Sequence, residues 1–160
     1  MEPNYIDVIP GQSDFLSVAD PTVCGMYHPW RDARQREHLH IEFRQLPDGR
    51  RGCIRDNRVT ISTADTQAQR RSTLAHELVH DERQVFPRDR VLRAREERAV
   101  ERIASRRLIQ LDHLAETLRW TREPREAAAE LWVDVPMLTA FIRSLTDEER
   151  LWLNERLADD

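Results

Sequence analysis

Lysine is absent from the sequence: all 25 basic residues are arginine. They are interleaved with 29 Asp and Glu, the formal net charge is −4, and no isolated basic block stands out. Ion pairing across solvated faces accounts for such a distribution. Cysteine is almost absent. Cys24 and Cys53 lie too far apart for a CxxC metal knuckle and are too few for a disulfide framework, so both are expected to be reduced structural thiols. No run of about 18 apolar residues occurs, and Met1-Glu2-Pro3-Asn4-Tyr5 carries no basic region leading into an apolar one. No membrane association and a cytoplasmic location are expected. Internal repeats and low-complexity tracts are also missing.

The composition, 39% hydrophobic and 34% charged over 160 residues, is that of a folding chain of one domain spanning 1–160. Four of the eight prolines and two of the four glycines fall in the first 30 residues. An irregular N-terminal arm with at most short helical pieces is therefore expected over 1–36. The alternation in His38-Leu39-His40-Ile41-Glu42-Phe43, the turn residues Pro47-Asp48-Gly49 and the strand-like Gly52-Cys53-Ile54 read as a hairpin. Asp56-Asn57 is a second tight turn, followed by the β-branched Val59-Thr60-Ile61-Ser62. A small three-stranded antiparallel sheet follows as the economical arrangement.

From about Thr66 the apolar spacing turns helical, with Leu74, Leu78 and Val79 on a buried face and Pro87 ending the segment. A second helix is expected over about 88–109, completing a region of sheet and two long helices at 37–109. Shorter helices over 111–120, 123–131, 135–145 and 147–157 make a helical C-terminal part at 110–160, with Thr146 and Glu149 spaced as a capping box. The predicted class is α+β: a small sheet backing the first long helix, with a mostly helical C-terminal part.

Inside the first long helix stands His76-Glu77-Leu78-Val79-His80. Residues four apart on a helix share a face, so both imidazoles can reach one Zn2+ ion at roughly 2.0–2.1 Å. Glu77 then sits at the rim of the same site, where a carboxylate can take a proton from water as general base. The motif fixes only three of five positions, and a catalytic zinc also needs a third protein ligand and an open position. The next helix offers Glu96, Glu97 and Glu101. A ligating histidine usually donates its second ring N–H to an outer carboxylate. With Glu97 as ligand, position i+4 is Glu101, which can serve. With Glu96 as ligand it is Val100, which cannot. Glu97 is favoured as the third ligand and Glu101 as its outer-shell partner, with Glu96 as the alternative ligand.

Arg71-Ser72-Thr73-Leu74-Ala75-His76-Glu77-Leu78-Val79-His80, followed by the stretch from Glu97 to Ile109, resembles the ImmA/IrrE family of metallopeptidases of bacteria and phages. In that family a Thr-Leu-Ala-type lead-in precedes HExxH, and a helix of the form E-x-x-A-N-x-x-A-A-x-x-L-M-P follows. The resemblance spans roughly residues 54–111 and aligns Glu97 with the family's glutamate, setting Ala104, Leu108 and Ile109 in register. The chain departs from the pattern at Val100, Glu101, Ser105 and Gln110, none of which is a ligand position. The resemblance implies a gluzincin-like fold, zinc, and endopeptidase activity on a protein substrate. In such proteins the substrate is often a DNA-binding transcriptional repressor, whose cleavage switches on prophage, mobile-element or stress genes.

Other candidates are weaker. His38 and His40, two apart on a strand, would share a side and could face metal or substrate. His28 and Trp30 could line the cleft, though a structural plug fits them better. Tyr27, His113 and several arginines compete to stabilise an oxyanion. Residues 127–138 have the look of a helix-turn-helix, but the stretch 111–160 carries a net charge of −6, a poor match to phosphate. Direct nucleic-acid binding is not expected. The rival classes are a non-catalytic zinc protein that captures a regulator and, behind it, a DNA-binding module.

Overall fold

The computed structural model describes residues 26–158. Cys24 and most of the expected N-terminal arm lie outside the described residues. The arm's described portion contains one short helix, α1 (Pro29–Gln35), with proline in its first turn. Three strands follow: β1 (His40–Arg44), β2 (Gly52–Arg55) and β3 (Arg58–Ser62). They form one sheet in the order β1-β3-β2, with β1 parallel to β3 and β2 antiparallel to it.

This corrects two expectations, the all-antiparallel sheet and the β1–β2 hairpin. The tight hairpin is β2–β3, closed by Asp56 and Asn57, both at positive φ of 49° and 60°. That is the two-residue geometry matching strand twist. Pro47–Gly49 forms a 3-10 turn instead, within a loop long enough to pass the place that β3 takes. Burial explains why the last strand becomes the middle one. Val59, Thr60, Ile61 and Ser62 are all buried, whereas β1 and β2 are only half-buried, as edges are. The same correction reaches the histidine pair. His38 precedes β1 and directs Nε2 to the Asp81 carboxylate at 3.0 Å, while His40 begins the strand and is exposed.

Helix α2 (Gln67–Arg83) starts at a capping box between Thr66 and Gln69, in which each side chain satisfies the other residue's free N–H. At about 100° per residue its side chains fall into separate sectors. Leu74 and Leu78 pack on the sheet with Val59, Ile61, Leu39 and Ala33. Ala75 and Val79, one position on, pack into the helical cluster with Val100, Ala104, Leu108 and Leu114. His76 and His80 occupy the next sector. Each fully buried leucine contributes roughly 1.5–3 kcal/mol, so the helix is pinned about its own axis from two sides.

Helix α3 (Arg90–Leu108) is capped by Asp89, which accepts from the N–H groups of Val91 and Leu92. Its buried residues Glu96, Val100, Ala104 and Leu108 recur every four positions, the spacing of one helical stripe. Then come α4 (Leu111–Trp120), α5 (Pro124–Glu130), α6 (Val135–Ser144) and α7 (Asp147–Ala158). The predicted helix-turn-helix stretch is α5 and α6, joined through Trp132 at φ 54°. Met137, Leu138 and Phe141 of α6 are buried in the same cluster as α3. No helix among the described residues is long and apolar enough to cross a membrane.

The expected capping box of α7 is present: Glu149 accepts from Thr146 N–H at 2.8 Å, and Thr146 Oγ1 accepts from Glu149 N–H at 3.2 Å. Glu149 also receives both Arg106 guanidinium nitrogens, at 2.5 and 2.7 Å. Arg106 first, and the Thr146 backbone second, pull the Glu149 carboxyl from 4.5 down to about 2. A depressed acid stabilises the fold above its unfolded pKa and loses that contribution as pH falls through the folded value. Glu149→Gln should therefore cost about 1 kcal/mol at pH 7. The difference from wild type should vanish between about pH 4.5 and 2 in urea unfolding followed by circular dichroism. A penalty independent of pH would contradict this account.

Candidate metal centre

The sector of α2 facing neither core carries His76 and His80, with ring centroids 4.8 Å apart. Glu97 of α3 enters from the side, its Oε2 3.3 Å from His76 Nε2 and 3.4 Å from His80 Nε2. The three donor atoms lie within 4.8 Å of one another. A charge-assisted His–Glu hydrogen bond would close to about 2.7–2.9 Å. Donors on a four-coordinate ion at roughly 2.0–2.2 Å stand instead about 3.3–3.5 Å apart. The two distances to Glu97 match that edge, so this group could hold a metal ion. Nδ1 of His80 is buried with no hydrogen-bond partner among the described residues.

Glu96 is engaged elsewhere. Arg83, three residues past His80, binds it through both Nε and Nη2, the latter at 2.8 Å. That ion pair holds the Glu96 carboxyl below the usual range and clamps the end of α2 to α3. It leaves Glu97, one residue on, turned toward the histidines. Glu101 is exposed and lines the cleft beside His76, but no hydrogen bond among the described residues joins it to either imidazole. The two imidazoles, His76 first, hold the Glu97 carboxyl far below the usual range. Burial alone would lower the His76 pKa, but the adjoining Glu97 carboxylate and the charges of Glu77 and Glu101 raise it.

Glu77 is buried beside the centre. Desolvation raises its pKa, against the opposing pull of His76, His80 and the Ile54 backbone. It faces a cleft of about 320 Å³ whose walls include Gly52, Thr73, His76, Glu101 and Met137. Arg51 pairs with Asp134, the N-cap of α6, across this cleft. Among the described residues β2 is an edge strand, and it runs past Glu77. Arg51 C=O accepts from Ser62 N–H, and the antiparallel alternation turns the polar groups of Gly52 and Ile54 away from β3. Gly52 permits this approach, because a Cβ there would lie 2.4 Å from Thr73 Cγ2 and 3.6 Å from Glu77 Oε1.

Several candidates lie elsewhere. Tyr27 donates to Asp32, Trp30 stacks on Phe43 at 6.0 Å, and His28, Tyr27 and His113 are not among the cleft-lining residues. Of the proposed oxyanion stabilisers, only arginines, Arg50 and Arg51, line the cleft. Cys53 is an exposed free thiol on β2. Arg51, Gly52 and Asp134 were not singled out by sequence reasoning. The one local signal was the Arg50-Arg51 pair ahead of a glycine-led strand. No protein-family profile, curated protein or solved structure matches this chain.

Two outcomes test the geometry. Glu97→Ala should lose stoichiometric divalent metal in equilibrium dialysis, while Glu96→Gln should keep the metal and lower Tm by leaving Arg83 unpaired; the reverse pattern would exchange their roles. Gly52→Ala should cost about 1–3 kcal/mol in chemical unfolding, because the added methyl pushes β2 off α2. A neutral effect would mean that the close approach carries no constraint.

Proposed function

We propose that this protein is a zinc-dependent endopeptidase with His76, His80 and Glu97 as metal ligands and Glu77 as general base. The carrying observation is three convergent donors beside a buried carboxylate at an open cleft. A structural zinc site is closed by four protein ligands. The cluster here has three among the described residues, which favours catalysis over a purely structural ion.

Bound zinc would supply a Lewis acid that polarises a carbonyl and makes water more acidic near neutral pH. The chain supplies the rest. An extended substrate segment pairs with the outward backbone groups of Gly52 and with the Ile54 carbonyl on β2, the Ile54 N–H being turned to Glu77. Water adds to the scissile carbonyl carbon, and the Glu77 carboxylate accepts the proton it gives up. As the C–N bond breaks, Glu77 returns that proton to the amine nitrogen. Desolvation of Glu77 suits it to both transfers, since a raised pKa makes the carboxylate a stronger base. The resemblance of residues 54–111 to ImmA/IrrE metallopeptidases supports a transcriptional repressor or similar regulator as the substrate.

Metal analysis after zinc-replete expression should find about one zinc per chain in the wild type and none in His80→Ala. Glu77→Gln should retain zinc and cleave the cognate regulator roughly 10²–10⁴-fold more slowly. Equal cleavage by wild type and Glu77→Gln would remove the assigned role, and a wild type without zinc would remove the site.

A further inference from the structure

Every residue from Arg88 to Arg95 is exposed, so the first turns of α3 project into solvent on all sides. A projecting helix end is ordinarily polar, but this one carries Val91 at 73% exposure and Leu92 at 53%. The connection leading into it adds Val85 at 41% and Phe86 at 58%. Four large apolar side chains thus stand uncovered within eight residues, and apolar exposure concentrated in this way marks an interaction surface.

The charge on the same segment is one-sided. Arg88, Arg90, Arg93 and Arg95 surround the apolar residues. The one acidic residue among them, Asp89, spends its carboxylate on capping α3. Arg93 binds the carbonyls of Pro87 and Arg88, holding the connection against the helix without neutralising any charge. The surface is therefore basic and apolar on a chain of net charge −4.

Its position indicates what comes to it. The Phe86 ring stacks on the metal-site residue His80, with centroids 6.0 Å apart. Phe86 also lines a hollow of about 400 Å³ with Ile54, Arg55, Gln84, Asp56 and Asp81, the last held by Arg36 and His38, so the basic character belongs to the helix turns beyond it. That hollow adjoins the β2 edge on the side of His80, whereas the first cleft opens beside His76 and Glu77. Phe86 thus joins the end of β2 and His80 to the exposed connection.

We propose that the α2–α3 connection and the projecting turns of α3 are a docking surface for an acidic, apolar segment of the protein substrate. The inference rests on the peptidase reading for its occupant. Apolar burial on Phe86, Val91 and Leu92 supplies contact area, and Arg88, Arg90 and Arg95 select acidic side chains and speed encounter.

The test uses the full chain and fluorescein-labelled dodecapeptides of three kinds, Leu/Phe with Glu/Asp, Leu/Phe with Arg, and Ser/Gln, read by fluorescence anisotropy. The acidic apolar peptides should bind at least tenfold more tightly than the other two, and added salt should weaken them. Val91→Ser with Leu92→Ser, and separately Arg88→Glu with Arg90→Glu and Arg95→Glu, should each weaken binding at least tenfold. Zinc content and Tm should be unchanged, since these residues are exposed. Equal binding of all peptides, or binding unaffected by the variants, overturns the proposal. So does a wild type that uses these residues for phosphatidylserine vesicles or duplex DNA instead. Zinc content and cleavage are read separately. Peptide binding by a protein that takes up no zinc keeps the surface and removes the peptidase reading, whereas zinc-dependent cleavage without peptide binding does the reverse.

Discussion

The site depends on α2 having two buried faces rather than one. Leu74 and Leu78 are held by the sheet and Ala75 and Val79 by the helical cluster, so rotation of the helix would expose one apolar pair or the other. At roughly 1.5–3 kcal/mol for a buried aliphatic side chain, the helix has one rotational setting, and His76 and His80 inherit it. Outside the apolar contacts, charged pairs fix the remaining freedom. Arg36 binds the Leu78 carbonyl at 3.0 Å and Asp81 at 2.9 Å, Arg107 binds Glu82 at 2.6 Å, and Arg83 binds Glu96. With no lysine available, arginine makes each of these ties, and its fork lets Arg36 reach a carbonyl and several carboxylates at once.

Features written in local spacing were legible in the sequence. The helix limits, the Thr146–Glu149 box and the pairing of His76 with His80 all follow from residues within one turn of each other. The choice of Glu97 over Glu96 was reached by asking what stands at i+4. In the structure Arg83 occupies Glu96, Glu97 stands beside both imidazoles, and no hydrogen bond among the described residues joins Glu101 to them. An arginine three residues past a histidine has many possible partners until α3 is seen to cross there.

Strand order and the cleft walls were not legible, because they depend on contacts far apart in sequence. Pro47-Asp48-Gly49 and Asp56-Asn57 are both good turn sequences, and nothing local states that β3 slips between β1 and β2. What decides it is that Val59, Thr60, Ile61 and Ser62 tolerate burial on both faces, a property of the strand's neighbours as much as of its residues. The Arg51–Asp134 pair joins positions 83 residues apart. Gly52 reads as an ordinary strand start, and only the 2.4 Å at which a Cβ there would meet Thr73 Cγ2 reveals that its lack of a side chain keeps the β2 edge next to Glu77.

Helix α3 divides at the residues that form the site. Beyond Glu96 its buried stripe of Val100, Ala104 and Leu108 is locked into the core, while before Glu96 nothing is buried at all. Glu97 sits just inside the boundary, and the Arg83–Glu96 pair is the last tie before the helix leaves the protein body. That placement separates two demands on one element. A metal-ligand group must be held to within a fraction of an ångström, whereas a surface that meets a partner must be uncovered and adaptable. With the clamp between them, the exposed turns can meet a partner without loosening Glu97. The exposed apolar residues cost the free protein some solvation but leave the geometry of the candidate metal group to the core.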